Sequence, residues 1–142
     1  MCPGLYISSL YTQNGVKGSY AYRWNVEDPD QIAEGVGVPH TIELSAIFGP
    51  NNTNGKAPES YYPGGVNAEA VPVIQGYWTS FIRSFDPNKY RYPGSASWVP
   101  WTDRNQERLL FETGGSTKME KIDAGLRQRC DYWASIGESI RQ

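Results

Sequence analysis

Histidine and cysteine are scarce in this chain of 142 residues, which holds one histidine and two cysteines. The single histidine, His40, leaves too few ligands for a two-histidine metal site. Cys2 and Cys130 lie near opposite ends of the sequence, which does not match the spacing of zinc ligands. The pair Gly35-x-Gly37 lacks the remaining glycine of a dinucleotide-binding loop. We therefore predict no metal and no other cofactor.

An excess of charge of one sign and long apolar runs are also absent. Thirteen basic and fifteen acidic side chains give a formal net charge of −2, without runs of like charge. Neither a nucleic-acid surface nor attraction to an anionic membrane is indicated. The apolar runs are far shorter than the roughly 18 residues of a membrane span. The start, Met1-Cys2-Pro3-Gly4, lacks the basic and apolar regions of a secretory signal.

Aromatic residues, in contrast, are plentiful: ten Tyr, five Trp and four Phe. This composition favours a packed globular body or a stacking surface and argues against disorder. The length fits one domain or one piece of a larger domain.

The spacing of apolar and turn residues predicts a mixture of helices and strands. The predicted elements are a short helix over 5–13, a strand over 19–26, a short helix over 41–48, a polar loop over 50–66, a long helix over 67–85, a hairpin with strands over 108–113 and 117–122, and a final helix over 123–140. Asn67 is the predicted N-cap of the long helix, and Pro87 ends it. The aromatic stripe of that helix is predicted to pack in the core, with a carbohydrate or lipid platform as the alternative: Tyr77, Trp78, Phe81 and Phe85.

His40 is the one candidate for acid–base chemistry, because it follows a glycine-rich turn between the predicted strand and a short helix. An isolated histidine in a loop also occurs without any role. Glu43, three residues on, is expected in the first helical turn, where the helix dipole stabilises an acid. No Gly-x-Ser-x-Gly occurs in the chain, so the nucleophile that such a base would serve is missing. Ser116, after two glycines, does not replace it, because no glycine stands at Lys118.

Two covalent modifications are suggested by the residues. Cys2 and Cys130 could form one disulfide that closes nearly the whole chain, or they could be two buried free thiols. Asn51-Asn52-Thr53 is the only sequon, so Asn51 is a candidate for glycosylation.

Several collinear segments resemble type-B carboxylesterases, the family of cholinesterases and fungal lipases. The segment around His40 is similar to that family's histidine segment: Gly37-Val38-Pro39-His40-Thr41-Ile42-Glu43-Leu44-Ser45-Ala46-Ile47-Phe48-Gly49. Three later segments match in order its tryptophan helix ending in Asp-Pro-Asn, its Trp-Pro turn and its terminal Cys-x-Phe-Trp helix: Tyr77 to Asn88, Trp98 to Trp101, and Arg129 to Trp133. Cys2-Pro3 also matches a Cys-Pro ahead of the histidine. Several details lean toward the fungal esterases.

The resemblance implies an α/β fold, in which residues 1–142 form the C-terminal portion of an α/β-hydrolase domain with an incomplete sheet, flanking helices and a terminal edge hairpin. It implies that His40 is the catalytic general base, that Cys2 and Cys130 form a disulfide, and that the protein is secreted and acts on a carboxylic ester. In the family, the nucleophilic serine, the acidic triad member and the oxyanion-hole glycines precede this segment. We therefore expect the isolated chain to be inactive, with a missing N-terminal portion or a companion chain completing the site.

Two alternatives remain open at this point. The chain could belong to a non-catalytic adhesion or binding relative, as occurs in the family, or it could be a truncated gene product without function. Without central strands, the strand over 19–26 would keep an unpaired edge and the long helix would lack its sheet. We therefore expect poor solubility of the chain alone.

Overall fold

A computed structural model describes residues 2–137 and 139. The elements in chain order are α1 (Cys2–Gln13), β1 (Tyr22–Asn25), α2 (Pro29–Ala33), α3 (Leu44–Ile47), α4 (Ala70–Ser84), β2 (Glu107–Glu112), β3 (Thr117–Lys121) and α5 (Ala124–Ile136), with 3-10 turns at Glu59–Tyr61 and Thr113–Gly115. The chain divides into two compact units. One contains 1–21, 99–108 and 120–142, and the other contains 22–98 and 109–119. They are called here the terminal unit and the histidine unit.

The described strands form one sheet in the order β1-β2-β3. β1 and β2 are parallel, with Tyr22 opposite Leu109 and Trp24 opposite Phe111. A parallel pair requires a long crossover connection, and α2, α3 and α4 lie within it. β2 and β3 are consecutive strands joined by the tight turn over 113–116, as the predicted hairpin requires.

Helix α4 forms the core of the histidine unit against β2. Its buried residues follow helical spacing and make one apolar face: Ala70, Val73, Ile74, Tyr77 and Ser80. The ring of Tyr77 lies 5.7 Å from that of Phe111 and 5.4 Å from that of Trp98. Trp24 packs on Phe111 from β1 at 5.3 Å. Burial of such large rings contributes most of the stability expected of a small core.

The predicted aromatic stripe of α4 packs in the core only in part. Tyr77 is fully buried, whereas Phe81 is 40% exposed and Phe85 is 82% exposed. The prediction that Phe81 and Phe85 are core residues is therefore wrong within the described structure. Phe85 ends α4 in the left-handed conformation, with φ 55°, and this turns the chain before Pro87.

Several predicted boundaries also need correction. The strand predicted over 19–26 is limited to Tyr22–Asn25, and the helix predicted over 41–48 is limited to Leu44–Ile47, because Thr41 has a φ of 70° that no helix continues. Asn67 is not the N-cap of α4; Glu69 precedes the helix and makes no side-chain capping bond. The final helix ends at Ile136, and the predicted part that contains residues 138 and 140 lies outside the described residues.

The terminal unit is held together by α1 and α5. A disulfide joins Cys2 to Cys130 in the structure, the pairing that the resemblance implies. The Tyr6 hydroxyl donates to Asp131 at 2.9 Å, and the indole N–H of Trp101 donates to Ser9 Oγ at 3.2 Å. A half-buried ion pair joins Arg108 to Glu120 at 2.6 Å. Across residues 2–137 and 139, no helix is both long and apolar enough to cross a membrane.

Candidate functional site

His40 lies on an exposed turn of the histidine unit, between α2 and α3. Gly35 and Gly37 both have a φ near 75°, a conformation that side chains other than glycine rarely adopt. They let the chain leave α2 and reverse before Pro39. The Thr41 hydroxyl donates to the His40 carbonyl at 2.5 Å. His40 therefore lies on a sharp turn with its side chain exposed.

An open cleft of about 590 Å³ lies beside His40. Its lining comes from the His40 turn, from α3 and from the loop that follows α3. Apolar side chains on the α3 side face a polar rim on the loop side: Ile42, Leu44 and Phe48 against Asn52, Thr53, Asn54 and Lys56. The cleft is therefore open to solvent and mixed in polarity.

The described part of the cleft contains no carboxylate, and its hydroxyls do not reach the imidazole. Thr41, Ser45 and Thr53 line it, but no hydrogen bond joins the His40 ring to any residue among 2–137 and 139. The nearest acid in sequence, Glu43, accepts from the Tyr22 hydroxyl at 3.4 Å. Burial, followed by the Glu43 charge, raises the pKa of Tyr22 to about 12. Among the residues that the structure describes, no hydroxyl and no carboxylate is therefore hydrogen-bonded to the His40 ring.

A buried hydrogen-bond network supports the segment that leads to His40. Asp28 caps α2 by accepting from the Gln31 amide at 3.1 Å, and its other oxygen accepts from Ser60 at 2.6 Å. Asn67, fully buried, donates to the Glu27 carbonyl at 2.8 Å and to Ser60 Oγ at 3.1 Å. The network ties the start of the His40 segment to the loop that carries the far wall of the cleft.

Sequence reasoning missed this network. The dipeptide Asp28-Pro29 is a known helix-start signal, since an acid at the N-cap followed by proline at the first helical position is favoured. That signal could have identified α2. The partners Ser60 and Asn67 lie 32 and 39 positions further along the chain, and no local pattern links them to Asp28.

Asn51 and Ser116 both lie in turns, as the sequence predicts, and glycosylation of Asn51 stays a prediction. Asn51 is exposed in the turn after α3, and Asn52 and Thr53 of its sequon line the cleft. Ser116 lies in the turn between β2 and β3. Within the described ranges no group of three His, Cys, Asp or Glu residues is placed to hold a metal ion.

Comparison with known proteins relates this chain to lipases and esterases. No protein-family profile matches the chain. Secreted lipase 4 of Gibberella zeae is 28% identical over 134 residues, which is 94% of this chain and 21% of the lipase. The crystal structure of EstA from Aspergillus niger matches 96% of this chain and 26% of its own, with 36% identity and a TM-score of 0.86. The predicted relationship to carboxylesterases and lipases is confirmed.

A more distant structure supports the fold alone. The carboxylesterase EST55 of Geobacillus stearothermophilus is 23% identical and matches 78% of this chain and 21% of its own, with a TM-score of 0.54. With these esterase relatives, the predicted α/β-hydrolase class is confirmed for a chain whose described part has a three-stranded sheet and flanking helices. The chain spans between about a fifth and a quarter of the lengths of the relatives that it matches.

Proposed function

We propose that this chain supplies the general-base histidine, His40, to a secreted serine hydrolase of carboxylic esters. The serine nucleophile, the acidic triad member and the oxyanion hole come from polypeptide other than residues 1–142, either a preceding portion or a companion chain. The observation that carries the proposal is the exposed imidazole of His40 at the edge of an open cleft. The relationship to a protein named as a secreted lipase supports the reaction class and the extracellular location.

The role proposed for His40 is to accept and return one proton in each half of the catalytic cycle. The imidazole takes the proton of a serine hydroxyl as the oxygen attacks the ester carbonyl. It then returns that proton to the leaving alcohol when the tetrahedral intermediate collapses. In the second half of the cycle it deprotonates the water that attacks the acyl-enzyme, and it then returns this proton to the serine oxygen as the bond to the acyl group breaks and the carboxylic acid leaves. Such a base must be within hydrogen-bond reach of the serine hydroxyl through one ring nitrogen, while the acidic triad member accepts from the N–H of the other.

A chimera tests the proposal, with the aligned segment of secreted lipase 4 replaced by this chain. We expect the chimera to hydrolyse p-nitrophenyl butyrate and the isolated chain to be inert. His40→Ala should lower kcat/KM of the chimera by about 10³-fold or more. Asn54→Ala serves as the matched control, since Asn54 lines the same cleft without an acid–base group and should change the rate only a few-fold.

Two results would contradict the proposal. One is turnover by the purified 142-residue chain that His40→Ala abolishes, and the other is a folded chimera whose activity survives His40→Ala. A folded chimera without any activity would favour the non-catalytic binding relative. The coding sequence upstream of Met1 gives an independent test, since an in-frame Gly-x-Ser-x-Gly supports the hydrolase and a substituted serine supports the binder.

A further inference from the structure

A second open cleft, of about 340 Å³, lies in the terminal unit and has a mainly basic lining. Three cationic side chains line it: Arg104, Lys121 and Arg127. Asn105 and Gln106 add amide groups, and Asp103 is the one acid among the lining residues. This surface is unexpected on a chain whose formal net charge is −2.

Each of the three basic residues belongs to a different local backbone structure. Arg104 lies in a turn that is closed by two backbone hydrogen bonds between Thr102 and Asn105, at 3.2 and 3.1 Å. Lys121 is the last residue of β3, and the next amide, of Ile122, donates to the Gln106 carbonyl at 2.9 Å.

Arg127 lies in the first turns of α5. The Asp123 side chain caps this helix by accepting from the Leu126 amide at 2.8 Å, and the Arg127 amide donates to the Asp123 carbonyl at 3.1 Å. The backbone positions that bring these three side chains to one cleft are therefore held by local hydrogen bonds.

The acids near this cleft already have partners. Asp103 accepts from Gln13 at 3.1 Å, Glu107 accepts from Asn105 at 3.1 Å, and Asp123 is the helix cap. Nearby Arg108 is paired with Glu120. In contrast, within residues 2–137 and 139 no salt bridge involves Arg104, Lys121 or Arg127. Three cations and the carboxylate of Asp103 share the cleft, so its lining keeps a net positive charge that an anion bound between the cations would offset.

We propose that this cleft binds a phosphate group. A guanidinium presents paired N–H donors that match two oxygens of a tetrahedral anion, and lysine adds a compact charge. A phosphate monoester carries a charge of about −1.5 to −2 at neutral pH, which fits three cations better than the single charge of a carboxylate. The volume accommodates the phosphate with part of the group it esterifies. Its source is either a soluble phosphate or a phospholipid headgroup.

The test uses the full 142-residue chain fused to a soluble carrier protein, with the carrier alone as the blank. One arm titrates inorganic phosphate at low ionic strength and measures heat. The other arm measures co-sedimentation with vesicles of phosphatidylcholine, with and without phosphatidic acid. The variants Arg104→Gln, Lys121→Gln and Arg127→Gln each remove one cation from the cleft. Arg129→Gln is the matched control, because it removes an exposed cation from the same helix without changing the lining.

We expect each cleft variant to weaken phosphate binding about fivefold, which corresponds to ~1 kcal/mol, and the control to leave it unchanged. Added sodium chloride should weaken binding by the wild type. Binding in both arms or only in the phosphate arm supports a soluble phosphate ligand, and binding only to phosphatidic acid vesicles supports a headgroup. No binding in either arm, or an equal loss in Arg129→Gln, overturns the proposal. Because the three variants lie on separate elements, misfolding of one leaves the other two to decide.

Discussion

At the scale of single residues, Asn67 shows how a side chain far from His40 shapes the site. It is fully buried, and its amide links the Glu27 carbonyl to Ser60, which in turn donates to Asp28. Buried polar groups that lose a partner pay the cost of desolvation without compensation. The residues that anchor the His40 segment are therefore expected to be sensitive to substitutions that leave the cleft lining intact.

Asn67→Ala should lower the free energy of unfolding by about 2 kcal/mol, because it leaves the Glu27 carbonyl and the Ser60 hydroxyl without a buried donor. Urea unfolding followed by tryptophan fluorescence measures the change. Asn54→Ala, in an exposed loop, is the control and should stay within about 0.5 kcal/mol of the wild type. Equal midpoints for the two variants would show that the network adds no stability.

The residue scale is also where sequence reasoning about the site reached its limit. The glycines before His40 predict a turn, and the structure has that turn with both glycines at positive φ. Glu43 was expected to matter only as a helix-start acid, yet its partner is Tyr22, 21 positions earlier on β1. The role of Asn67 was assigned to a helix cap because Asn is a common N-cap residue. In both cases a contact between distant segments decides the role, and local pattern does not report such contacts.

At the scale of elements, the hairpin strands β2 and β3 and the long helix α4 follow the sequence pattern most closely, whereas α2 is not predicted and β1 is predicted too long. The pattern of α4 is long and repeats at helical spacing, so its existence and its end near Phe85 follow from the sequence. β1 was predicted from alternating aromatic residues over 19–26, but only Tyr22–Asn25 pairs with β2. Strand length depends on the partner strand, and β2 lies more than eighty positions away in the sequence. Alternation alone cannot supply that register.

Substitution of two helical glycines by alanine distinguishes the effect of helix propensity from the effect of packing. Gly76 lies within α4, where a Cβ would stand 2.8 Å from the Tyr92 backbone nitrogen. Gly4 lies within α1, where a Cβ would meet nothing within 4 Å. Both substitutions by alanine gain helix propensity, but only the first creates a clash with backbone.

Gly76→Ala is therefore expected to lower the free energy of unfolding by about 1–3 kcal/mol, while Gly4→Ala should raise it by about 0.5 kcal/mol. Chemical denaturation of both variants, with the disulfide kept oxidised, gives the comparison. If Gly76→Ala proved as stable as the wild type, the close approach of Tyr92 to α4 would be incorrect.

At the scale of the whole molecule, many large apolar side chains of the described residues are exposed to solvent. On α4, Ile82 is 72% exposed and Phe85 is 82% exposed, next to Phe81. β1 lies at one edge of the described sheet. Contiguous apolar surface on a soluble protein marks an interface or promotes association, and an edge strand offers backbone groups for pairing. The relatives that match this chain are roughly four times as long, since nearly the whole chain covers only 26% of one and 21% of the other.

We therefore predict that the chain alone self-associates through the apolar surface at the C-terminal end of α4, which is formed by Phe81, Ile82 and Phe85. The double variant Ile82→Ser with Phe85→Ser should weaken self-association by at least about tenfold, because it removes the two most exposed apolar side chains of the helix. Val16→Ser with Val36→Ser is the matched control, since both valines are exposed apolar residues outside α4. Analytical ultracentrifugation over a range of concentrations measures the effect. A wild-type chain that stays monomeric and unfolds in one sharp cooperative transition would mean that this surface is stable in water by itself, and that nothing needs to cover the outer face of α4.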